Sequence, residues 1–515
     1  MHYKNIKRLV KKQIKKDYPD WKDLSKKEKK SLAQEICEAI IDDYDFNQEI
    51  DVPIEELLGI ESQTLPKTSP MLNDFGEFRN KIISNDIFSL EEMKKYVDDF
   101  YGNSLFDPKN LIKLRVNIKD KQLKYIDSLL DDSIINSLLS YDGYSPSMRE
   151  YFPSQYFRAE LLKALKYSEI SYRKYCTKEY LGLERKQNRE FIGLPLHKKK
   201  MIDHTQLSKF RTSLSFSQVV NLWVYILHLV SRSGILDNCG IHCVDSTELA
   251  NDNIRPLFST EIKGKKIRIY KDIECDSGLR RNKRDKSLFF IGYRMHTLTA
   301  IDSNTGHSFP LISLIASANH HDSLFLKPLI QLAQSMGLEL KLISADEAYH
   351  DNDASIFDET GVRLITPPSS NVKLPKYVDP ESKKVTLDEF CDIPMAHIGC
   401  FEEGHEFKCD AGAGECFWAE SCTQSRIIPT DNGVFQRMLY DNEEVQEAID
   451  TRKNAERPFN LLKHREGLEQ VRVRSQKALI TKCAIGTMAT LLIEVERRCN
   501  EQKNDPQMNL FKTAS

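Results

Sequence analysis

The chain lacks an excess of either charge sign, and its first residues lack an apolar core segment. Its 515 residues carry 74 Lys and Arg against 76 Asp and Glu, a net charge of −2. This balance argues against a uniformly basic nucleic-acid binder. The Lys-rich opening does not resemble a secretory signal, which needs an apolar central run. We therefore expect a soluble protein that stays inside the cell.

Long apolar runs are also scarce. The best candidate, residues 479–495, contains Lys482 and Glu494, so we expect a buried helix and no contact with a membrane. The twelve cysteines then predict thiols or metal ligands, because disulfides are rare inside cells. The hydrophobic content of 40% is sufficient for globular cores, and the length predicts three or four folded units.

Positive charge is concentrated in two places. Residues 1–30 hold twelve Lys and Arg against four Asp and Glu, and residues 263–294 hold eleven Lys and Arg. Such clusters neutralise phosphates in complexes with nucleic acid. The alternative interpretation of each cluster is a solvated helix face.

Three acidic residues stand out by their position. Asp245 and Asp346 each end an apolar run that predicts a buried strand, and Glu456 lies in the spacing R-x3-E-x6-K between Arg452 and Lys463. On a helix, offsets of four and seven return to nearly the same side, so the three residues of this spacing are predicted to share a face. Carboxylates on two strands and one helix can hold a pair of divalent cations for phosphodiester chemistry.

This constellation resembles the catalytic core of DDE transposases from bacterial insertion sequences, in particular the group with the signature Y-x2-R-x3-E-x6-K. The chain keeps the Arg, Glu and Lys of that signature and has Ile449 in place of the tyrosine. Three other segments are similar to family motifs: D-x-x-Y at 346–349, A-N-x-H-D at 318–322, and H-S-T-L-S-R-F-R at 204–211. The resemblance covers about residues 150–495.

The resemblance implies a transposase that cuts DNA at the ends of its element and transfers the strands into target DNA. Asp245, Asp346 and Glu456 would be its catalytic residues and the ligands of Mg²⁺ or Mn²⁺, because hard cations prefer carboxylate oxygens. Its partners would be double-stranded DNA, namely the terminal inverted repeats and the target, and a second copy of the chain when DNA is bound. We expect it in a bacterial-type cytoplasm, associated with the nucleoid when active.

Basic residues near Glu456 are candidate DNA ligands. In the family signature, Arg452 and Lys463 hold the phosphate at the transposon end, a role that suits a bidentate Arg and a point-charge Lys. The alternative is that both form ion pairs on the helix surface. Ile449 removes one hydroxyl contact of the full signature. The complete set of predicted DNA-binding residues is Arg452, Lys463, Arg472 and Arg474.

Three further features accompany the acids. Pro458 cannot donate a backbone hydrogen bond, so we expect the helix to kink just after Glu456. The resemblance places the His-His-Asp segment at 320–322 near the active site, and a structural role for it is equally open. We expect Tyr349 to pack or form a hydrogen bond beside Asp346.

Two alternatives to the transposase remain open at this point. A nuclease of the same fold would cut DNA without rejoining it. A domesticated transposase would bind DNA or partners without catalysis. The presence of all three acids disfavours the second alternative, because a binding protein need not keep them.

The pattern of apolar residues predicts an α/β fold with a ribonuclease-H-like catalytic core, a large helical N-terminal region and a Cys-rich insertion. Strands are predicted at 241–245, 288–301, 309–316, 339–345 and 362–366, with helices near 323–336, 352–360, 442–465 and 475–497. The predicted domains are a basic helical region at 1–145, a helical transposase N-terminal-like domain at 146–235, the catalytic core at 236–367 and 431–498, the insertion at 368–430, and a tail at 499–515.

The first 145 residues are predicted to be helical, because Ser25 with Glu28 and Ser89 with Glu92 form capping-box signatures before helix-spaced apolar residues. We interpret this region as a module that recognises DNA ends. The alternative is a helical appendage that serves dimerisation or folding.

The insertion contains five cysteines within 32 residues, more than packing requires. A loop-rich segment with little apolar content is well stabilised by a metal. We predict a structural Zn²⁺ site formed by Cys400, Cys409, Cys416 and Cys422. The alternative is a set of unligated thiols in a loop that contacts DNA.

Overall fold

The structure is a computed structural model that describes most of the chain between residues 87 and 504 and two short stretches before it. The described residues are 13–14, 24–42, 87–102, 116–139, 151–251, 258–262, 265–270, 275–280, 288–349, 355–366, 377–379, 385–387, 393–401, 404–409, 425–428, 443–466, 470–471 and 476–504. They form a mixed α/β fold in which helices precede the main sheet.

Helices occupy most of the described residues before 235. They are α1 (Lys26–Asp42), α2 (Leu90–Gly102), α3 (Lys121–Leu129), α4 (Asp132–Leu138), α5 (Pro153–Lys166), α6 (Tyr172–Tyr175), α7 (Lys178–Leu181), α8 (Lys186–Ile192), α9 (His204–Ser213) and α10 (Phe216–Ser231). The capping boxes predicted before α1 and α2 are confirmed, since each serine and glutamate pair exchanges both hydrogen bonds. α10 is buried along most of its length, as its all-round apolar sequence predicts.

Two arginines that are buried among these helices meet carboxylates there. The guanidinium of Arg158 contacts Asp127 at 2.7 Å and Asp132 at 2.5 Å. Arg211 forms an ion pair with Glu160, and both side chains are almost completely buried. Because each of these two arginines meets a carboxylate, its charge is neutralised within the protein.

Twelve strands lie in the described part of the chain. They are β1 (Ile241–Asn251), β2 (Phe258–Ile262), β3 (Lys265–Ile269), β4 (Asp276–Arg280), β5 (Leu288–Ile301), β6 (Ser308–Ser317), β7 (Leu342–Ala345), β8 (Arg363–Ile365), β9 (Met395–Phe401), β10 (Gly404–Cys409), β11 (Ser425–Ile428) and β12 (Gln470–Val471). In the main sheet β5 is antiparallel to β1, β4 and β6, whereas β1 is parallel to β7 and β7 to β8. The order across its centre is therefore β6-β5-β1-β7-β8.

Helices cover both faces of this sheet. The later helices are α11 (Ser323–Ser335), α12 (Ser355–Thr360), α13 (Glu443–Arg452), α14 (Glu456–Glu466) and α15 (Gln476–Asn504). Val244 and Leu298 share a core cluster with α11 on one face, whereas Leu249 and Met295 pack with Leu479 of α15 on the other. α15 is apolar enough to cross a membrane, but 89% of its apolar window is buried in the protein, as predicted for a core helix.

The segment at 368–430 contains more regular structure than its sequence predicts. β9, β10 and β11 form an antiparallel three-stranded sheet, which we call the small sheet. Its Met395 and Phe407 pack in one apolar cluster with Ile365 of β8 and with Val445 and Ala448 of α13. The apolar partners that complete this core come from outside the segment.

Two predicted boundaries were wrong. Asp245 does not end its strand, because β1 continues through Asn251. The glutamate helix predicted at 442–465 is broken before Glu456, not kinked after it: a 3₁₀ turn at Lys453–Ala455 separates α13 from α14. Pro458 is the third residue of α14, where its missing N–H has no partner within the helix to lose.

Candidate active site

Asp245 lies in the middle of β1 and is half-buried. The backbone N–H of Ser246 donates to its Oδ1 at 2.7 Å. The pKa of Asp245 is raised to about 7, mainly by burial and in part by the negative charges of Asp346 and Glu456, whereas the Ser246 hydrogen bond and Arg452 lower it. Asp346 and Glu456 are therefore close enough to Asp245 to repel its charge.

Asp346 follows β7 directly, as predicted, and leads into a 3₁₀ turn at Glu347–Tyr349. β7 is the parallel neighbour of β1, which brings the two aspartates to adjacent strands. The backbone N–H of Ala348 donates to Asp346 at 2.9 Å. Burial raises the pKa of Asp346, and the charge of Asp322 adds to this, whereas Arg452 opposes it.

Glu456 is held by the turn that precedes it. Ala455 is fully buried against Cys243 and Ile301, two residues before Asp245 on β1 and at the end of β5. The hydroxyl of Ser308 donates to the backbone carbonyl of Asn454 at 2.7 Å. These contacts fix the start of α14 against the sheet, beside the strand that carries Asp245.

Arg452 is the predicted DNA ligand that the structure brings to the acids. It ends α13, and its positive charge lowers the pKa of both Asp245 and Asp346. Lys463 is half-buried on α14 and is not among the main groups that set these two pKa values. Arg472 and Arg474 lie outside the described residues. Ile449 packs against the apolar cluster of the small sheet.

The charge of the site is unbalanced. Three carboxylates with oxygen donors meet one guanidinium, which suits a hard divalent cation in its donor chemistry. Within the described residues, however, no three His, Cys, Asp or Glu side chains are placed to hold a metal ion. Asp346 and Glu456 thus act on the pKa of Asp245, but the three acids are not placed as one set of metal ligands.

A hydrogen-bonded group lies behind the acids, on the other face of the sheet. The hydroxyl of Ser246 donates to Asp322 at 3.0 Å, and Nη1 of Arg294 donates to the same carboxylate at 2.7 Å. Nδ1 of His296, which lies opposite Ser246 across β1 and β5, is 2.7 Å from the hydroxyl of Tyr349. We call these five residues the anchor group. The expectation that Tyr349 packs beside Asp346 holds, whereas no sequence pattern pointed to Ser246, Arg294 or His296.

The histidines of the 320–322 segment lie beside this group. Nδ1 of His320 contacts the backbone carbonyl of Ser317 at 3.0 Å, and its ring stands edge-on to Phe325. His321 is exposed, with its Nδ1 2.9 Å from the hydroxyl of Ser323. Both histidines have local contacts that shape the start of α11, which is the structural role left open by the sequence.

Most of the predicted zinc ligands lie beyond what the structure describes. Cys409 is a half-buried free thiol at the end of β10. Cys400 is described only as backbone, opposite His405 in the small sheet, and Cys416 and Cys422 lie outside the described residues. Nε2 of His397 lies 3.0 Å from Nδ1 of His405, and burial lowers the pKa of both imidazoles.

Comparisons with known proteins add a distant likeness. No protein-family model and no curated protein matches the chain. A cryo-EM structure of a piggyBac transposase synaptic complex with hairpin DNA is similar over 75% of this chain and 74% of that chain, at 12% identity and a TM-score of 0.31. Because so low a TM-score does not show a common fold, the site has to be interpreted from its own residues.

Proposed function

We propose that the chain is a DDE-type transposase with a ribonuclease-H-like core, which cuts DNA at the ends of an insertion sequence and joins them to target DNA. The observation that supports this proposal is that Asp245 and Asp346 lie on or beside adjacent parallel strands, where the charges of Asp346 and Glu456 raise the pKa of Asp245 and that of Arg452 lowers it. These residues are far apart in the chain, and the DDE pattern selects the same three acids from the sequence.

The sheet supports the same interpretation. Counted along the chain, its five central strands stand in the order 3-2-1-4-5, with the second strand antiparallel. Three strands followed by alternating helix and strand is the succession expected of a ribonuclease-H-like core, and the acids lie on its first strand, after its fourth strand and on a later helix. The resemblance of motifs and the order of strands are separate kinds of support, since neither depends on the other.

The roles of the residues follow from their chemistry. Asp245, Asp346 and Glu456 would hold Mg²⁺ or Mn²⁺ through oxygen donors. Such a cation, when bound, supplies Lewis-acid activation of an attacking oxygen and stabilises charge on the leaving oxygen. Arg452 faces the same region and can hold a DNA phosphate by two parallel hydrogen bonds. DNA and a second copy of the chain are the partners that this function requires.

The test is a cleavage assay on a plasmid that carries the DNA flanking this gene. Asp245→Ala, Asp346→Ala and Glu456→Ala should each abolish metal-dependent cleavage, because removing one carboxylate removes metal ligands, while affinity for DNA stays within about twofold, since phosphate contacts supply most of it. Glu347→Ala is the matched control, an exposed acid next to Asp346. Full cleavage by any of the three variants would contradict the proposal. Cleavage without joined products would favour the nuclease.

The zinc site in the insertion is proposed separately. Purified protein should hold about one zinc per chain that survives exchange of the hard catalytic ion, because thiolates prefer zinc. Replacing both Cys409 and Cys416 by Ser should release it, as measured by elemental analysis. The same double change at the half-buried Cys176 and Cys239 is the control. Zinc retained in the first variant, or absent from the wild type, would reject this site and leave the three acids unaffected.

A further inference from the structure

The anchor group connects the two segments that carry the aspartates. Ser246 follows Asp245 on β1, and Tyr349 closes the 3₁₀ turn that begins after Asp346. Ser246 lies opposite His296 on β5, and Nδ1 of His296 lies 2.7 Å from the hydroxyl of Tyr349, so His296 connects the two segments. Because successive residues of a strand point to opposite faces, Ser246 holds β1 from the face opposite to Asp245.

Asp322 is the charged end of this group. It occupies the N-cap position of α11, yet its carboxylate makes no capping hydrogen bond to that helix. The carboxylate accepts instead from Ser246 at 3.0 Å and from Arg294 at 2.7 Å, and only 5% of the residue is exposed. An aspartate at this position normally stabilises its own helix by a capping hydrogen bond. Here its hydrogen bonds connect the start of α11 to β1 and β5 instead.

His296 is the uncharged end. It pairs with Ser246 across β1 and β5, is fully buried, and stacks on Phe325 of α11 with ring centroids 4.2 Å apart. Its Nδ1 meets the hydroxyl of Tyr349 at 2.7 Å. Buried side chains thus join β1 and β5 to the turn after Asp346 and to the start of α11. Such side chains have few alternative rotamers.

We propose that Ser246 and Tyr349, backed by Asp322, Arg294 and His296, are positioning residues that set the distance between Asp245 and Asp346. This inference rests on the proposed function, since the distance matters only if the two carboxylates share a ligand. A shared cation tolerates small errors in ligand position poorly, and residues behind the ligands commonly change metal affinity or activity by about 10–100-fold.

The experiment compares hydroxyl deletions inside and outside the anchor group. Ser246→Ala and Tyr349→Phe remove the two linking hydroxyls. Tyr175→Phe is the matched control, because Tyr175 is also fully buried and donates its hydroxyl to a backbone carbonyl, of Ala159 at 2.8 Å, within the helical region. For each purified full-length variant, Mn²⁺ affinity is measured by titration without DNA, and turnover and KM are measured with the flanking-DNA plasmid.

Ser246→Ala and Tyr349→Phe should weaken Mn²⁺ binding and lower kcat by about tenfold, with KM for DNA unchanged. Ser246→Thr keeps a hydroxyl and should restore both values. Tyr175→Phe should lose a similar amount of thermal stability with neither value changed. Anchor variants that match Tyr175→Phe in Mn²⁺ affinity and kcat would overturn the inference alone. A wild type that neither binds Mn²⁺ better than Asp245→Ala nor cuts DNA would overturn the proposed function and this inference together.

Discussion

Charge is buried in two different ways in this protein. Among the helices before residue 235, Arg158 and Arg211 meet the carboxylates that neutralise them. At the end of β7 and the middle of β1, carboxylates meet one another and share one cation, Arg452. The first arrangement is complete as it stands, whereas the second carries an excess of negative charge.

The difference separates charges that stabilise the fold from charges that serve a ligand. Burying a charge costs free energy unless an opposite charge and hydrogen bonds compensate it. A group of carboxylates that repel one another therefore lowers stability, and binding a cation would reduce the repulsion. Such a group is a candidate functional site. The extent of burial alone does not distinguish the two regions, but the charge of the neighbouring side chains does.

The largest effect should come from breaking a completed pair. Arg211→Met leaves the buried Glu160 without its cation, and such changes cost about 3–5 kcal/mol of unfolding free energy. Urea denaturation measures the loss, and Arg173→Met, at an exposed position of α6, is the control. A loss below about 1 kcal/mol would show that Glu160 does not depend on Arg211, and the contrast with the acids would disappear.

A smaller effect should come from removing the positive charges that are predicted to bind DNA. Deleting residues 1–30 removes a net eight positive charges. Affinity for double-stranded DNA should fall by about tenfold at low salt, and the slope of log affinity against log salt should become shallower, because fewer counterions are released. Deleting residues 505–515, which carry no net charge, is the control. An unchanged slope would identify the lysines as a solvated surface.

The smallest effect concerns the repelling acids without metal. The pKa of Asp245 is raised by burial to about 7 from an ordinary value near 3.8, so its ionised form opposes folding. Stability should therefore fall as pH rises from about 4 through 7, and Asp245→Asn should remove this fall. In chelated buffer at pH 8 we expect the variant to melt about 2–4 °C higher than the wild type, with equal melting at pH 4. Equal melting at both values would mean that Asp245 is not repelled.

Local patterns predicted much of the fold. Capping boxes at Ser25 and Ser89 and the burial of α10 depend on residues that are close together in the chain. A short window of sequence is therefore enough to predict them. The end of β7 before Asp346 was also predicted correctly, because the apolar run stops there. The prediction for Asp245 failed because apolar residues stop there, while alternating burial continues at Thr247 and Leu249.

Long-range contacts explain what local patterns missed. Ser246 and Asp322 are 76 residues apart, so no window of sequence shows that they meet. The core of the small sheet is not predictable from its own segment, because Ile365 of β8 and Val445 of α13 are part of it. The break before Glu456 depends on the contact of Ala455 with Cys243, which only the folded chain provides.

The 3₁₀ turn at Lys453–Ala455 has a mechanical consequence. α13 before it belongs to the apolar cluster of the small sheet, through Val445 and Ala448, whereas α14 after it belongs to the main sheet, through Phe459 and Leu462. The turn thus joins two helices that are held by different apolar clusters, both of which include residues of the main sheet. Because Arg452 ends one helix and Glu456 begins the other, a substitution in one cluster would displace the guanidinium or the carboxylate without directly displacing the other.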